Sequence, residues 1–155
     1  DEEPSYKYEA NNHSKDDEER EIPLSMGQSF QEMLLTQLGL QNIDDHKYLV
    51  AEYLVGNLDE SGYLSRDLSS IVDDMAFYQS ISTTEQELQE LLSVLQSLDP
   101  PGIGARNLQE CLLLQIKRKK RATPNIVLAE ILLDKYFDEF SKLLINYISI
   151  KQSLG

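Results

Sequence analysis

The chain has 155 residues, 41% of them hydrophobic and 26% charged, enough for one ordinary domain or two small ones with a real core. Its net charge of −13 argues against the whole chain being a DNA-binding unit, because nucleic-acid affinity comes chiefly from cations that displace counterions from phosphates. The lone Cys111 excludes an intrachain disulfide, and no signal peptide or bilayer-length apolar run is present, so a cytosolic protein is the simplest reading.

Residues 1–21 hold Asp, Glu, Asn, Ser and Lys with almost no aliphatic side chain, too little apolar surface to offset the entropy of ordering. They read as a flexible acidic linker, with folded sequence starting near Ile22-Pro23-Leu24. Ser29 suits the cap of a first helix, in which Phe30, Met33, Leu34 and Leu38 fall at helical spacing before Gly39 stops it. A second helix follows Asp44, with Tyr48 to Leu58 apolar on nearly every face and therefore expected to be enclosed by others.

Asp59-Glu60-Ser61-Gly62 is a turn signal, and Leu68, Ile71, Val72 and Met75 then outline a short third helix. Ser82 with Glu85 and Thr83 with Gln86 form overlapping capping boxes for a fourth, whose Leu88, Leu91, Leu92, Leu95 and Leu98 make one stripe. Asp99-Pro100-Pro101-Gly102 must end that helix, since proline lacks the amide donor and pushes its predecessor out of helical geometry.

The fifth helix is expected from about Ala105 to Lys120, with Leu108, Cys111, Leu112 and Ile116 inward and a basic end at Lys117-Arg118-Lys119-Lys120-Arg121. Thr123-Pro124 opens a sixth bearing Leu128, Ile131, Leu132 and Leu133. Tyr136, Phe137, Phe140, Leu143, Leu144 and Tyr147 continue the apolar face, with a break near Asp138. No run alternates as a strand, so the fold class is all-α, in two small helical-bundle subdomains at 22–98 and 99–155. The second reads as truncated, and the chain, which starts without Met and stops just after Lys151-Gln152-Ser153-Leu154-Gly155, reads as a fragment of something longer.

Charge is uneven along this plan: residues 1–21 carry −6, residues 22–101 carry −11 and residues 102–155 carry +4. An acidic front and a basic back suit a partner with both signs. Arg106, Lys117, Arg118, Lys119, Lys120 and Arg121 are the candidate partner-binding residues. The other reading of the basic run is a solvated helix terminus, and the lack of interleaved aromatics removes support for stacking on single-stranded nucleic acid.

Little points to chemistry. The segment from Asn57 through Gly62 to Leu68 has a spacing like that of an EF-hand loop, but the loop requires a bidentate Glu where Leu68 stands. Gly62 instead supplies a left-handed turn. Gly102-Ile103-Gly104 lacks the preceding strand and third glycine of a dinucleotide fingerprint; Pro101-Gly102 suits a tight turn and Gly104 a close approach to a helix. His13, His46 and Cys111 stand at no metal-ligand spacing, and Asp44-Asp45 and Asp73-Asp74 read as caps and solvated faces. No catalytic, cofactor-binding or metal residue is proposed. Readings from other classes are a helical protein–protein adaptor and a nucleic-acid-binding module using the basic half.

Two stretches carry a resemblance. Glu52-Tyr53-Leu54-Val55-Gly56-Asn57-Leu58-Asp59-Glu60-Ser61-Gly62-Tyr63-Leu64 and, further on, Leu95-Gln96-Ser97-Leu98-Asp99-Pro100-Pro101-Gly102-Ile103-Gly104-Ala105-Arg106-Asn107-Leu108-Gln109-Glu110-Cys111-Leu112 look like the core-binding region of the sigma-54 family. The similarity extends over about residues 23–150, and residues 1–21 are similar in character to that family's acidic linker. The resemblance implies a bacterial, cytoplasmic, non-enzymatic role, without cofactor, membrane or small-molecule substrate. It would hold a sigma factor on RNA polymerase core through the β flap and β′. The full-length parent is then expected to bind promoter DNA and to await an ATP-driven activator. This chain lacks the activator-responding and promoter-reading segments of that family.

Overall fold

The computed structural model describes residues 29–119 and 123–153, and every described element is helical. The acidic leader and Ile22-Pro23-Leu24 lie outside the described residues. The order is α1 (Phe30–Leu38), α2 (Asp45–Gly56), α3 (Leu68–Asp74) continued by a π-helical turn (Met75–Gln79), α4 (Glu85–Gln96), α5 (Leu108–Lys117), α6 (Pro124–Lys135) and α7 (Phe137–Ser153).

Local chemistry sets most of these limits. Ser29 and Glu32 form a reciprocal capping box at the start of α1, Asp44 accepts from the Lys47 amide to open α2, and Thr123 caps α6 with Pro124 in its first turn. For α4 the cap is Thr84, whose hydroxyl accepts from the Glu87 amide, and neither Ser82 nor Thr83 as the overlapping boxes suggested. The Thr83 hydroxyl is instead bonded to the Glu87 carboxylate at 2.8 Å. Helix α5 starts later and stops earlier than expected, because the Asn107 side chain caps the Glu110 amide and Arg118 takes the C-cap position. Ala105 precedes the helix and is fully buried. The break before α7 falls at Tyr136 instead of Asp138.

The core is built from α1 to α4. Leu34 and Leu38 meet Val50, Ala51, Leu54 and Val55 of α2, the whole stripe Leu88, Leu91, Leu92, Leu95 and Leu98, and Ile71 and Met75. Full burial of each such leucine contributes roughly 1.5–3 kcal/mol. Helix α2 is less enclosed than its composition suggested: one face packs against α4, while Leu49 is 48% exposed. The segment after the prolines belongs to this same core, since Ile103 is buried in it.

Helices α5, α6 and α7 pack in sequence against one another and contain no fully buried residue. Leu108, expected inward, is 56% exposed, because the later start of α5 puts it at the first helical position. Leu128 and Ile131 of α6 and Leu143, Leu144 and Tyr147 of α7 are also exposed, so the apolar face read from sequence along these helices is open in the described residues.

Candidate functional site

Two loops far apart in sequence meet through backbone hydrogen bonds. The Gly104 amide donates to the Gly62 carbonyl at 2.8 Å, and the Leu64 amide donates to the Ala105 carbonyl at 3.0 Å. Gly62 has φ +83° and Gly104 φ +70°, a region that disfavours any side chain. A Cβ on Gly62 would lie 2.6 Å from Ile103 Cδ1, and one on Gly104 would lie 3.2 Å from Leu92 Cδ1.

Side chains brace both loops. Asp59 Oδ1 accepts from the Ser61 and Tyr63 amides, both at 2.9 Å, so this carboxylate organises its own turn. The Pro100 carbonyl receives the Ile103 amide at 3.2 Å, while Pro101 lies exposed beside the buried Gly102. Gln96 Nε2 donates to the Gly104 carbonyl at 3.1 Å and to Glu110 at 3.0 Å, and Glu110 also accepts from the Arg106 amide at 2.6 Å. Tyr63 meets Cys111, and the hydrogen bond between them, with partial desolvation, raises the phenol above its ordinary range.

The cations singled out in the sequence fall into two groups. Arg118 donates to the Leu98 carbonyl at 2.6 Å, the Gln96 carbonyl at 3.3 Å and Asp99 Oδ1 at 2.7 Å, so its charge sits on the negative end of α4. Arg106 donates to the Arg66 carbonyl at 2.8 Å and lies 3.9 Å from Asp67. Lys117 and Lys119 are exposed on the surface at the end of α5. Lys120 and Arg121 lie outside the described residues.

Lys119 edges an apolar cleft of about 300 Å³ formed between α5, α6 and α7, with Leu112, Ile116, Leu132, Leu133 and Phe140 in its walls. Gln109 ties α5 to the end of α6 through the Leu133 carbonyl at 2.8 Å. On the acidic side, Arg66 spans Asn57 at 2.9 Å and Asp74 at 2.5 Å, and the Asp74 hydrogen bond is the main cause that raises its pKa.

On that side Phe77 and Tyr78, on the π-helical turn and outside the residues singled out from sequence, are 82% and 71% exposed. Phe77 carries a signal, since it stands two residues after Met75 and so off the i, i+3, i+4 pattern that buries Ile71 and Met75; Tyr78 stands three after Met75, on that pattern, and is nevertheless exposed on the π-helical turn that replaces the α-helix there.

No group of three or more metal-ligating side chains occurs among the described residues, and His46 pairs with Glu87 at 3.4 Å. His13 lies outside them. The geometry is that of a braced helical scaffold with charged and apolar outer surfaces.

The family described as "Sigma-54 factor, core binding domain" matches residues 21–155. The chain is 32% identical over 136 residues to the RNA polymerase sigma-54 factor of Bacillus subtilis (strain 168), covering 87% of this chain and 29% of that protein. It is 34% identical over 127 residues to the RNA polymerase sigma-54 factor of Pseudomonas aeruginosa (strain UCBPP-PA14), covering 81% and 25%. With the namesake factor of Pseudomonas putida the identity is 35% over 127 residues, again 81% and 25%. The chain thus spans between a quarter and three tenths of these relatives. The matched region takes in both loop motifs and the helices they join, and by that match this chain belongs to the sigma-54 factor core-binding domain family.

Proposed function

We propose that this chain holds a sigma-54 transcription initiation factor on RNA polymerase core, the task its family is described by. It acts by binding, with no chemical step of its own. The observation that carries the reading is the match over residues 21–155, which covers all described helices.

The division of labour follows the charge and the packing. The two small bundles, residues 22–98 and 99–155, are its two units, with Ile103 of the second packed into the core of the first. Lys117 and Lys119, exposed at the end of α5, are the contacts favoured among the basic residues, joined by Lys120 and Arg121. Arg106 and Arg118 contribute through the scaffold they fasten. The β flap and β′ are the expected polymerase surfaces. The full-length parent binds promoter DNA and answers an ATP-driven activator through segments beyond this chain. Work on polymerase core places it in the bacterial cytoplasm.

Size-exclusion chromatography of the purified chain with sigma-free core polymerase at micromolar concentration tests the reading. Co-elution that another sigma factor displaces is the expected result. Separate elution of a folded chain would remove it, and displacement by DNA in place of a sigma factor would favour the nucleic-acid-binding alternative.

A further inference from the structure

We infer that the Phe77–Tyr78 pair, with Asp73 beside it, is a docking point for an arginine- or lysine-bearing polypeptide surface of the polymerase core. The inference rests on the reading of the chain as a core-binding unit and names a contact for it on the acidic side.

The rings stand edge to face with centroids 5.0 Å apart and an interplanar angle of 82°. Both are largely exposed, although Met75, two residues before Phe77, is fully buried. Large aromatic side chains dominate the energetics of protein interfaces, so two held outside a well-filled core are set for a partner. Their support is firm. The Met75 carbonyl receives both the Ser80 amide and the Ile81 amide, the latter at 3.1 Å, and Ser80 turns the chain with φ +55°. Single π-helical turns of this kind are frequent at functional positions.

Charge selects the partner. Between Arg66 and Arg106 there is no Lys or Arg and there are seven carboxylates. Arg66 itself is bound to Asp74. Asp73, Asp74, Phe77 and Tyr78 line one open depression together with Ala76, so carboxylates and aromatic rings are offered side by side. An incoming guanidinium or ammonium gains from both, by ion pairing with Asp73 and by lying over a ring face. A nucleic acid would be repelled by the same carboxylates.

The test measures affinity of the whole chain for sigma-free core polymerase across a salt series, for the wild type, a Phe77→Ala/Tyr78→Ala double variant and Asp73→Asn. Circular dichroism and thermal melting accompany each, and exposed positions leave the fold intact. The double variant is expected to bind at least about tenfold more weakly, as truncated interface aromatics do. Asp73→Asn is expected to bind more weakly at low salt and with a shallower salt dependence.

Wild-type binding matched by the double variant overturns the inference and leaves the functional reading standing. Failure of the wild type to bind core removes both. An Asp73→Asn variant with unchanged salt dependence overturns the cationic partner. A wild-type dimer by sedimentation that the double variant abolishes assigns the pair to self-association instead.

Discussion

The side-chain amide of Gln37 pairs with both backbone groups of Asp99: its Nε2 donates to the carbonyl at 2.8 Å and its Oε1 accepts from the amide at 2.8 Å. A residue near the end of α1 thereby takes the place of a neighbouring strand for the segment that leaves α4. On its other side that segment is held by Arg118. Gln37→Ala removes both bonds and is expected to lower unfolding free energy by about 1–2 kcal/mol. Gln37→Glu, which keeps an acceptor and loses the donor, should fall between. Urea unfolding of the three proteins checks the order; equal midpoints would show the pairing to be incidental.

Gly62 and Gly56 make an internal comparison. Gly62→Ala forces a Cβ into a left-handed conformation and to 2.6 Å from Ile103, and is expected to cost about 1–3 kcal/mol. Gly56 closes α2 with nothing within 4 Å of where a Cβ would stand, so Gly56→Ala should be neutral or add about 0.5 kcal/mol. Thermal melts of the pair should move in opposite directions, or only the first should move at all.

Leu92 and Leu144 test where the core ends. Leu92→Ala opens a cavity among Leu34, Leu88, Leu95 and their neighbours, for an expected loss of about 2–5 kcal/mol. Leu144 is exposed on α7, and its replacement by Ala should change stability by no more than about 0.5 kcal/mol. Similar losses at both sites would contradict the exposed state of α7.

Arg118 and Lys117 are neighbours with opposite expectations. Arg118→Ala strips the end of α4 of its charged donor and should destabilise the chain by about 1–2 kcal/mol, discounted for the partial exposure of the group. Lys117→Glu with Lys119→Glu should leave the melting temperature in place and weaken polymerase binding, most at low ionic strength. Denaturation and binding measured on the same preparations separate the two roles. Unchanged affinity of the double charge reversal would return these lysines to a solvated helix end.

The amino-acid order was enough to place the helices wherever the deciding chemistry lies within a turn or two. Ser29, Asp44 and Thr123 bond to amides three residues on, and the stripe from Leu88 to Leu98 is a repeat of the helix itself, so caps and core face were legible. Where similar hydroxyl residues follow one another within a turn, as at Ser82, Thr83 and Thr84, spacing alone does not choose among them, and the cap falls on the last. The acidic front, the basic back and the membership of a polymerase-binding family were also readable from residues alone.

Only the tertiary structure decided what depends on partners distant in the chain. That Gly104 donates to Gly62, that Tyr63 meets Cys111, that Arg106 and Arg118 turn to carbonyl groups while Lys117 and Lys119 face outward, and that Phe77 and Tyr78 stay outside the core are all outcomes of packing. Periodicity records which face of a helix is apolar and is blind to what that face meets. The leucines of α4 find a core that closes over them, whereas the apolar residues of α7 present a surface still open to solvent.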